Sequence, residues 1–392
     1  MLNTIRLKRV QDRVKVFNLV SDRPASHTWL PSLEGLRAIA VILVFLEHTT
    51  GNVFRNDTLE SGAFFGPFLN FGDAGMGRSG VYLFFVLSSF LLTNQLLRPH
   101  VEFKNPSLWL HYGFKRFTRI YPLYIFVLLI YCLFPSFKYD FGDVLSHLAL
   151  QTAGNHFWTI PVEVKYYFLL PGIAWLISRV LNRSLILTAA LSLGLMLFSH
   201  LAEVGLGAPA RLSVLPHLSV FLVGSLAALV HIKLSDTSQT QQPYRKVVME
   251  VIAILALLGI ALSWQTQPMH LTWHWILHSE MPVILGTHWL YKIHGCLWAI
   301  VLVSHLHGQG WLSKILTWKP LRYIGVISFG IYLWHIAILG YLNAHLATSS
   351  MVKMLAIAAV TVIVATLTYI TIERPAMQLK LPFLSSAALA RK

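Results

Sequence analysis

The sequence LEGLRAIAVILVFLEHTTG occupies residues 33–51 and combines a long apolar run with ionisable side chains. Within it, Arg37 and His48 are separated by eleven residues. Eleven steps of a helix with 3.6 residues per turn return to nearly the same face, about 16 Å further along the axis. That is roughly half the hydrocarbon thickness of a bilayer. Because ionisable groups at such depth are costly, they normally face a protein interior or a wet cavity, so this stripe predicts a functional site.

The composition indicates a membrane protein built of helices. Of the 392 residues, 55% are hydrophobic and only 12% are charged, and the mean hydropathy is +0.61. The apolar runs are continuous rather than alternating, which favours helices over a β-barrel. The net charge of +15 does not indicate nucleic-acid binding, because no basic run with interleaved stacking residues is present. Cys132 and Cys296 both lie in apolar runs, so no disulfide framework is expected.

We predict an all-α polytopic membrane protein with about ten transmembrane helices. The predicted spans are residues 36–52, 80–97, 118–135, 161–178, 184–200, 212–231, 247–264, 288–306, 323–342 and 353–371. Most of the 31 lysines and arginines fall in the N-terminus, in the connections after even-numbered spans and in the C-terminus. The positive-inside rule therefore predicts that both termini are cytoplasmic.

The same pattern predicts three regions. These are a basic cytoplasmic segment at 1–35, a ten-helix membrane domain at 36–375 and a short cytoplasmic tail at 376–392. The expected location is the cell's inner (plasma) membrane, with several passes through the lipid bilayer.

The orientation of the first span places Arg37 near the cytoplasmic face and His48 near the outer face. Arg37 suits a phosphate or a carboxylate, since its guanidinium donates in a fork. A snorkelling interfacial arginine is the alternative. His48 suits a general base, because a neutral imidazole is well matched to proton transfer near pH 7. A packed, hydrogen-bonded histidine is the alternative there.

A second basic site precedes the third span. Arg116 and Arg119 stand three residues apart in KRFTRIYPLY (115–124), so they share a helix face at its inner end. Two guanidinium forks suit a multiply phosphorylated cytoplasmic ligand. A positive-inside anchor would show the same pattern.

Glu163 lies where HFWTIPVEVKYYFLLP (156–171) enters the fourth span. Pro161 suits a first helical turn, which predicts that Glu163 lies near the outer membrane level, as His48 does. A carboxylate there would orient an imidazole or hold an acceptor hydroxyl. Stabilisation of the helix N-terminus is the alternative.

Span nine carries a polar stripe. In ISFGIYLWH (327–335), Ser328, Tyr332 and His335 follow spacings of four and three. They either line a pocket or hydrogen-bond between helices. Ser88 and Ser89 lack the G-x-S-x-G setting of a serine nucleophile, so we interpret them as small residues at a close helix crossing.

The outer connection before span eight contains His270, His274 and His278, spaced four residues apart. On a helix they would share a face, as ligands of a zinc or copper ion do. No H-E-x-x-H motif or cysteine accompanies them, so an amphipathic interfacial helix is favoured and no metal is expected.

Several motifs together resemble one family. They are the R-x10-H arrangement of span one, GVYLFFVLSSFLL (80–92), R-x-x-R before IYPLY, FWTIPVEVKYYFLLP (157–171), KPLRYIGVISFGIYLWH (319–335) and IERP (372–375). In this order, they resemble the integral-membrane acyltransferase family 3, which O-acylates surface glycans, peptidoglycan, lipo-oligosaccharides and some macrolides. Two positions depart from the family pattern: Ser89 replaces a usual glycine, and Phe329 replaces a usual tyrosine.

The resemblance implies a membrane O-acyltransferase. It would move an acyl group, acetyl by default, from cytoplasmic acyl-CoA to a hydroxyl of a cell-surface or lipid-linked glycan. Arg37, Arg116 and Arg119 would hold the donor's phosphates, while His48 would act as the base and Glu163 would orient it or the acceptor. Tyr332, His335 and Ser328 would line the substrate pocket. Direct transfer and a transient acyl-histidine both fit this scheme.

A proton-coupled secondary transporter or flippase of a glycan or lipid precursor is the alternative. Such carriers also need intramembrane Arg, Glu and His. The sequence shows neither an inverted repeat nor paired broken helices, which favours the acyltransferase.

Overall fold

The computed structural model describes residues 30–54, 75–99, 101–134, 137, 139–206, 212–236, 243–263, 287–308 and 310–380. Within them all regular structure is helical, which confirms the predicted fold class. The helices are α1 (Ser32–Val53), α2 (Met76–Leu96), α3 (Pro106–Leu133), α4 (Phe141–Leu148), α5 (Thr159–Trp175), α6 (Leu185–Leu206), α7 (Leu215–Asp236), α8 (Pro243–Ser263), α9 (Thr287–Gly308), α10 (Trp311–Leu316), α11 (Lys319–Val326), α12 (Ser328–His345), α13 (Ser350–Thr368) and α14 (Arg374–Gln378). A 3₁₀ turn (Asn155–Trp158) leads into α5, and π-helical turns follow α5 (Leu176–Val180) and α13 (Tyr369–Glu373).

Six helices in the described part of the chain are long and apolar enough to cross a membrane, or seven if the bent pair α11–α12 is one span. The six are Ser32–Val53, Met76–Leu96, Pro106–Leu133, His156–Val180, Leu215–Asp236 and Ser350–Gln378. Helices α6, α8, α9 and the pair α11–α12 occupy the other predicted spans. The count of ten and the cytoplasmic location of both termini therefore stay predictions.

Helix α1 packs against α2, α11 and α12. Its contact with α2 is close because Gly80 faces the backbone carbonyl of Ala40, a place where a Cβ would collide. Its N-terminal end is joined to α11 by an ion pair between Glu34 and Arg322, at 2.9 Å. Gly325 lets α11 approach the backbone of Glu34 in the same way. Both faces of α1 are thus fixed by neighbouring helices, which holds its polar stripe in place.

The chain turns sharply between α11 and α12, whose axes differ by 71°. The break lies at Ile327, which leaves the helical region of backbone space with φ −92° and ψ 9°. Because of this bend, α11 packs on the N-terminal end of α1, whereas α12 packs beside the C-terminal half of α1. The bend therefore decides which side chains of α12 meet the α1 stripe.

Helix α2 packs tightly against α7 through a small-residue crossing. Ser89 donates a hydrogen bond to the carbonyl of Phe221 at 2.5 Å and also contacts the hydroxyls of Tyr166 and Ser225 at 2.7 and 2.9 Å. All these groups are buried. This network agrees with the interpretation of Ser89 as a packing residue rather than a nucleophile.

Candidate active site

The C-terminal half of α1 places His48 against a histidine of α12. Nδ1 of His48 lies 2.9 Å from the carbonyl oxygen of Val44 and 3.3 Å from Nε2 of His335. The two rings have centroids 5.1 Å apart. His335 is fully buried, whereas His48 is half-buried. Two of the residues predicted for the site are therefore direct neighbours.

A third histidine completes the cluster. The ring of His156, in the 3₁₀ turn before α5, lies 5.0 Å from the ring of His335. Its Nε2 lies 3.3 Å from the carbonyl of Leu333. The hydroxyl of Tyr332 donates to the backbone carbonyl of His156 and accepts from Thr159 at 2.7 Å. Hydrogen bonds from Tyr332 thus fix the turn that carries His156, and we call His48, His156 and His335 the histidine cluster.

The hydrogen bonds assign the protons of the neutral cluster. Nδ1 of His335 lies 2.8 Å from the carbonyl of Tyr332, and a carbonyl only accepts, so this nitrogen carries the proton. Nε2 of His335 is then an acceptor, and Nδ1 of His48 must donate towards it and towards Val44. The remaining nitrogen of His48, Nε2, is left unprotonated. It has no hydrogen-bond partner among the described residues, so the cluster presents one free basic nitrogen.

Arg37 lies about 16 Å from His48 along α1 and belongs to a separate charged centre. The groups in electrostatic contact with it are Arg119, Glu163, Tyr167 and Glu373. Its guanidinium makes no hydrogen bond or ion pair with any residue that the structure describes. Arg37 is therefore a cation held within reach of two carboxylates but bonded to neither.

Arg119 and Glu373 form the inner side of this centre. They make an ion pair at 3.3 Å in which Glu373 is almost completely buried. The other oxygen of Glu373, Oε1, is buried without a hydrogen-bond partner in the described part of the chain. The guanidinium of Arg119 also packs over the ring of Phe329, at 5.9 Å. Phe329, which replaces a usual tyrosine, thus presents an aromatic face to a cation.

Glu163 lies further from the histidine cluster than predicted. The helix begins at Asn155, well before Pro161, so Glu163 is about 12 Å further along the axis than His156. Its carboxylate accepts hydrogen bonds from Ser88, at 2.5 Å, and from the hydroxyl of Tyr167. Among the described residues it makes no hydrogen bond with His48. Glu163 therefore belongs to the Arg37 centre, and the prediction that it lies level with His48 is corrected.

Arg116 and Arg119, predicted to act as a pair, contact different partners. Arg116 packs over the ring of Tyr167, with 5.9 Å from Cζ to the ring centroid. It lines a cavity of about 650 Å³ between α3 and α5, whereas Arg119 turns towards Glu373. The two side chains are three residues apart, so they project about 60° apart around the helix axis and reach different neighbours.

Ser328 is buried, and its hydroxyl has no hydrogen-bond partner in the described ranges. It makes none of the bonds of the histidine cluster, so its predicted place in the pocket stays a prediction. His270, His274 and His278 lie outside the described residues. Across the described chain, no group of three or more His, Cys, Asp and Glu side chains is arranged to hold a metal ion. The expectation that no metal is needed stays a prediction.

Sequence reasoning missed four residues of the site: Ser88, His156, Tyr167 and Glu373. His156 and Tyr167 belong to the motif that carries Glu163, and Glu373 belongs to IERP. Helical spacing from Glu163 identifies Tyr167 four residues on. Ser88 and Glu373 come from other segments of the chain, and His156 contacts His335 of α12. Helix packing, rather than sequence spacing, brings these three residues to the site.

Comparison with known proteins points to one family. A family model described as an acyltransferase domain, acyltransferase family 3, matches residues 30–370. The peptidoglycan O-acetyltransferase OatA of Listeria monocytogenes is 27% identical over 382 residues, which cover 89% of this chain and 56% of that protein. The O-acetyltransferase OatA of Staphylococcus aureus strain NCTC 8325 is 24% identical over 362 residues, which cover 82% of this chain and 52% of that protein. The chain thus spans about half the length of these relatives. No solved structure matches it.

Proposed function

Because the chain belongs to acyltransferase family 3, we propose that it is a membrane O-acyltransferase acting in the inner (plasma) membrane. It moves an acyl group, acetyl in the first instance, from cytoplasmic acyl-CoA to a hydroxyl of a cell-surface or lipid-linked glycan. Peptidoglycan is the first acceptor to test, because the Listeria relative is named for it.

The donor's phosphates are held at the Arg37 centre. An arginine inside a helical bundle is costly when nothing compensates its charge, and Arg37 bonds to none of the described residues. Arg119 lies within electrostatic range of it, so two guanidinium groups face the same space. A polyanion bound there gains charge-assisted hydrogen bonds from both. Arg116 was predicted to join them, but its side chain lines the cavity between α3 and α5. We therefore do not include Arg116 in the donor site.

His48 is the general base. Its free Nε2 takes the proton of the acceptor hydroxyl as that oxygen attacks the thioester carbonyl. The C–S bond then breaks, and the imidazolium returns the proton to the departing thiolate. The products are an O-acyl ester and coenzyme A with a free thiol, so atoms and charge balance. The same nitrogen is free to form an acyl-histidine if transfer proceeds in two steps.

His335 takes the orienting role that was assigned to Glu163. It accepts the Nδ1 proton of His48 and so fixes both the tautomer and the direction of the ring. Glu163 acts lower in the bundle, where its bonds from Ser88 and Tyr167 hold a carboxylate beside Arg37. There it partly balances the charge of Arg37 or holds a hydroxyl of the acceptor.

The observation that carries the proposal is the His48–His335 pair, which leaves one basic nitrogen unprotonated and free. The test is acyl transfer from radiolabelled acetyl-CoA to peptidoglycan or membrane glycan in vesicles that contain the full chain. His48→Ala should abolish transfer. His345→Ala is the matched control, since His345 is exposed on the same helix as His335 and, within the described ranges, hydrogen-bonds only to the carbonyl of Tyr341.

Persistent transfer by His48→Ala at the normal rate would overturn the proposal. Uptake of a glycan precursor by these vesicles, with no transfer of label, would support the transporter alternative instead.

A further inference from the structure

The cavity between α3 and α5 is lined neither by Arg37 nor by the histidine cluster. Its walls are aromatic and aliphatic, with contributions from Trp109, Ile120, Val164 and Pro171. Its volume of about 650 Å³ lies within the range of ligand-binding pockets. The charged side chain that lines it is Arg116. A matching ligand is therefore mostly hydrocarbon and carries one anionic group.

The rim of the cavity lies on the outside of the helix bundle. Phe117 and Phe168 flank it and are 52% and 78% exposed, on two helices that are long and apolar enough to cross a membrane. In a bilayer these side chains face lipid. The cavity is therefore entered sideways from the bilayer, which makes membrane lipids the molecules that reach it most readily.

Arg116 supplies the second observation that points to a ligand. Its Nε is buried without a hydrogen-bond partner, and the guanidinium makes no ion pair with the residues that the structure describes. The guanidinium packs over the ring of Tyr167, with 5.9 Å from Cζ to the ring centroid. A cation over an aromatic ring keeps its donor groups available for an anion. A buried guanidinium N–H without a hydrogen-bond partner is costly, so a bound phosphate there is favourable.

The position of Arg116 along α3 suits a lipid phosphate. Helix α3 has 28 residues, so it spans about 42 Å and exceeds the hydrocarbon core of about 30 Å. Arg116 is the eleventh residue, and side chains lean towards the helix N-terminus, which brings the guanidinium near one edge of the core. Lipid phosphates lie at that edge.

We propose that this cavity binds one anionic phospholipid of the surrounding leaflet, with its phosphate on Arg116 and an acyl chain along the aromatic walls. The pantetheine arm of coenzyme A fits less well, because its amides would be buried without partners. Lipid binding here does not depend on the proposed acyl transfer. The cavity is linked to the candidate active site by Tyr167, which contacts both Arg116 and Glu163.

The test compares two lipids that differ in headgroup charge. The purified full chain is loaded with equal amounts of phosphatidylglycerol and phosphatidylcholine, washed in detergent and measured by native mass spectrometry. One basic residue at a membrane surface is worth about a fivefold preference, so the unmodified chain should retain phosphatidylglycerol by about that ratio. Arg116→Gln should bring the ratio close to one, while Arg179→Gln, a change at an exposed arginine outside the cavity, should leave it unchanged.

A second variant fills the cavity. Gly113 lines it, and nothing lies within 4 Å of a Cβ added there, so Gly113→Leu adds volume without a clash at Cβ. We expect it to lose the retained lipid. Gly194→Leu is the matched control, because Gly194 has equally open surroundings on α6, away from the cavity.

Equal lipid retention by Gly113→Leu and Gly194→Leu would overturn the proposal, as would an unchanged headgroup preference in Arg116→Gln. Extraction of a glycolipid precursor rather than a phospholipid from the unmodified chain would reject a phospholipid as the occupant.

Discussion

Replacing His335 by alanine tests how the histidine cluster works. His335 accepts the Nδ1 proton of His48 at 3.3 Å, while Nδ1 also faces the carbonyl of Val44 at 2.9 Å. In the resting state the loss is one ordinary hydrogen bond of about 1 kcal/mol, and Val44 still holds the ring. When His48 takes a proton it becomes a cation, and the bond to His335 becomes charge-assisted.

A charge-assisted bond contributes about 1.5–3 kcal/mol, and a tenfold change in rate corresponds to about 1.4 kcal/mol. His335→Ala should therefore lower kcat by the difference between the charge-assisted and the ordinary bond, about 0.5–2 kcal/mol, which corresponds to about 2- to 30-fold. The KM for acetyl-CoA should stay within about twofold, because the donor's phosphates bind about 16 Å away at Arg37. His335→Gln should recover part of the rate, since its amide oxygen is able to accept the same proton.

The assay is initial-rate transfer of label from acetyl-CoA in reconstituted vesicles, with both substrates varied. Circular dichroism melting checks that each variant remains folded. Full activity of His335→Ala would show that the orientation of His48 does not depend on His335. A raised KM for acetyl-CoA with unchanged kcat would place His335 in the donor site. That result would refute its role as the acceptor of the His48 Nδ1 proton.

Arg37→Gln should raise the KM for acetyl-CoA by about tenfold or more, because charge-assisted bonds to phosphate are lost. Arg179→Gln should leave this KM unchanged. An unchanged KM in Arg37→Gln would show that Arg37 does not belong to the donor site. Gly325→Ala should destabilise the chain by about 1–3 kcal/mol in detergent melting, because its Cβ collides with the backbone of Glu34, and Gly340→Ala, with open surroundings, should have little effect. Equal losses in the two glycine variants would contradict the close approach of α11 to α1. Burial lowers the pKa of His147 below its ordinary value of 6.5, although the nearby charge of Asp143 acts in the opposite direction. Below about pH 6.5 the unfolded chain therefore binds more protons than the folded chain, so the free energy of unfolding falls as the pH drops. Protonation also breaks the bond from the Gly154 amide to His147 Nε2. The protection of the α4 amides, measured relative to their intrinsic exchange rates at each pH, should therefore be lower at pH 5.5 than at pH 7.5, and His147→Phe should show no such loss of protection.

The membrane class, the helical fold and the shared stripe of Arg37 and His48 follow from the sequence by itself. Each depends on short-range rules: an apolar run must be helical in lipid, and eleven residues return to one helix face. The resemblance of several motifs to one family was equally visible, and the match over residues 30–370 confirms it.

Only the tertiary structure decided which residues meet. The 71° bend before α12 brings His335 to His48, and the 3₁₀ turn that precedes α5 places Glu163 away from the histidines and near Arg37. Arg116 and Arg119 separate because their neighbours, Tyr167 and Glu373, come from helices far apart in the chain. Sequence spacing sets the direction of a side chain on its own helix, whereas the partner it meets depends on how the other helices pack.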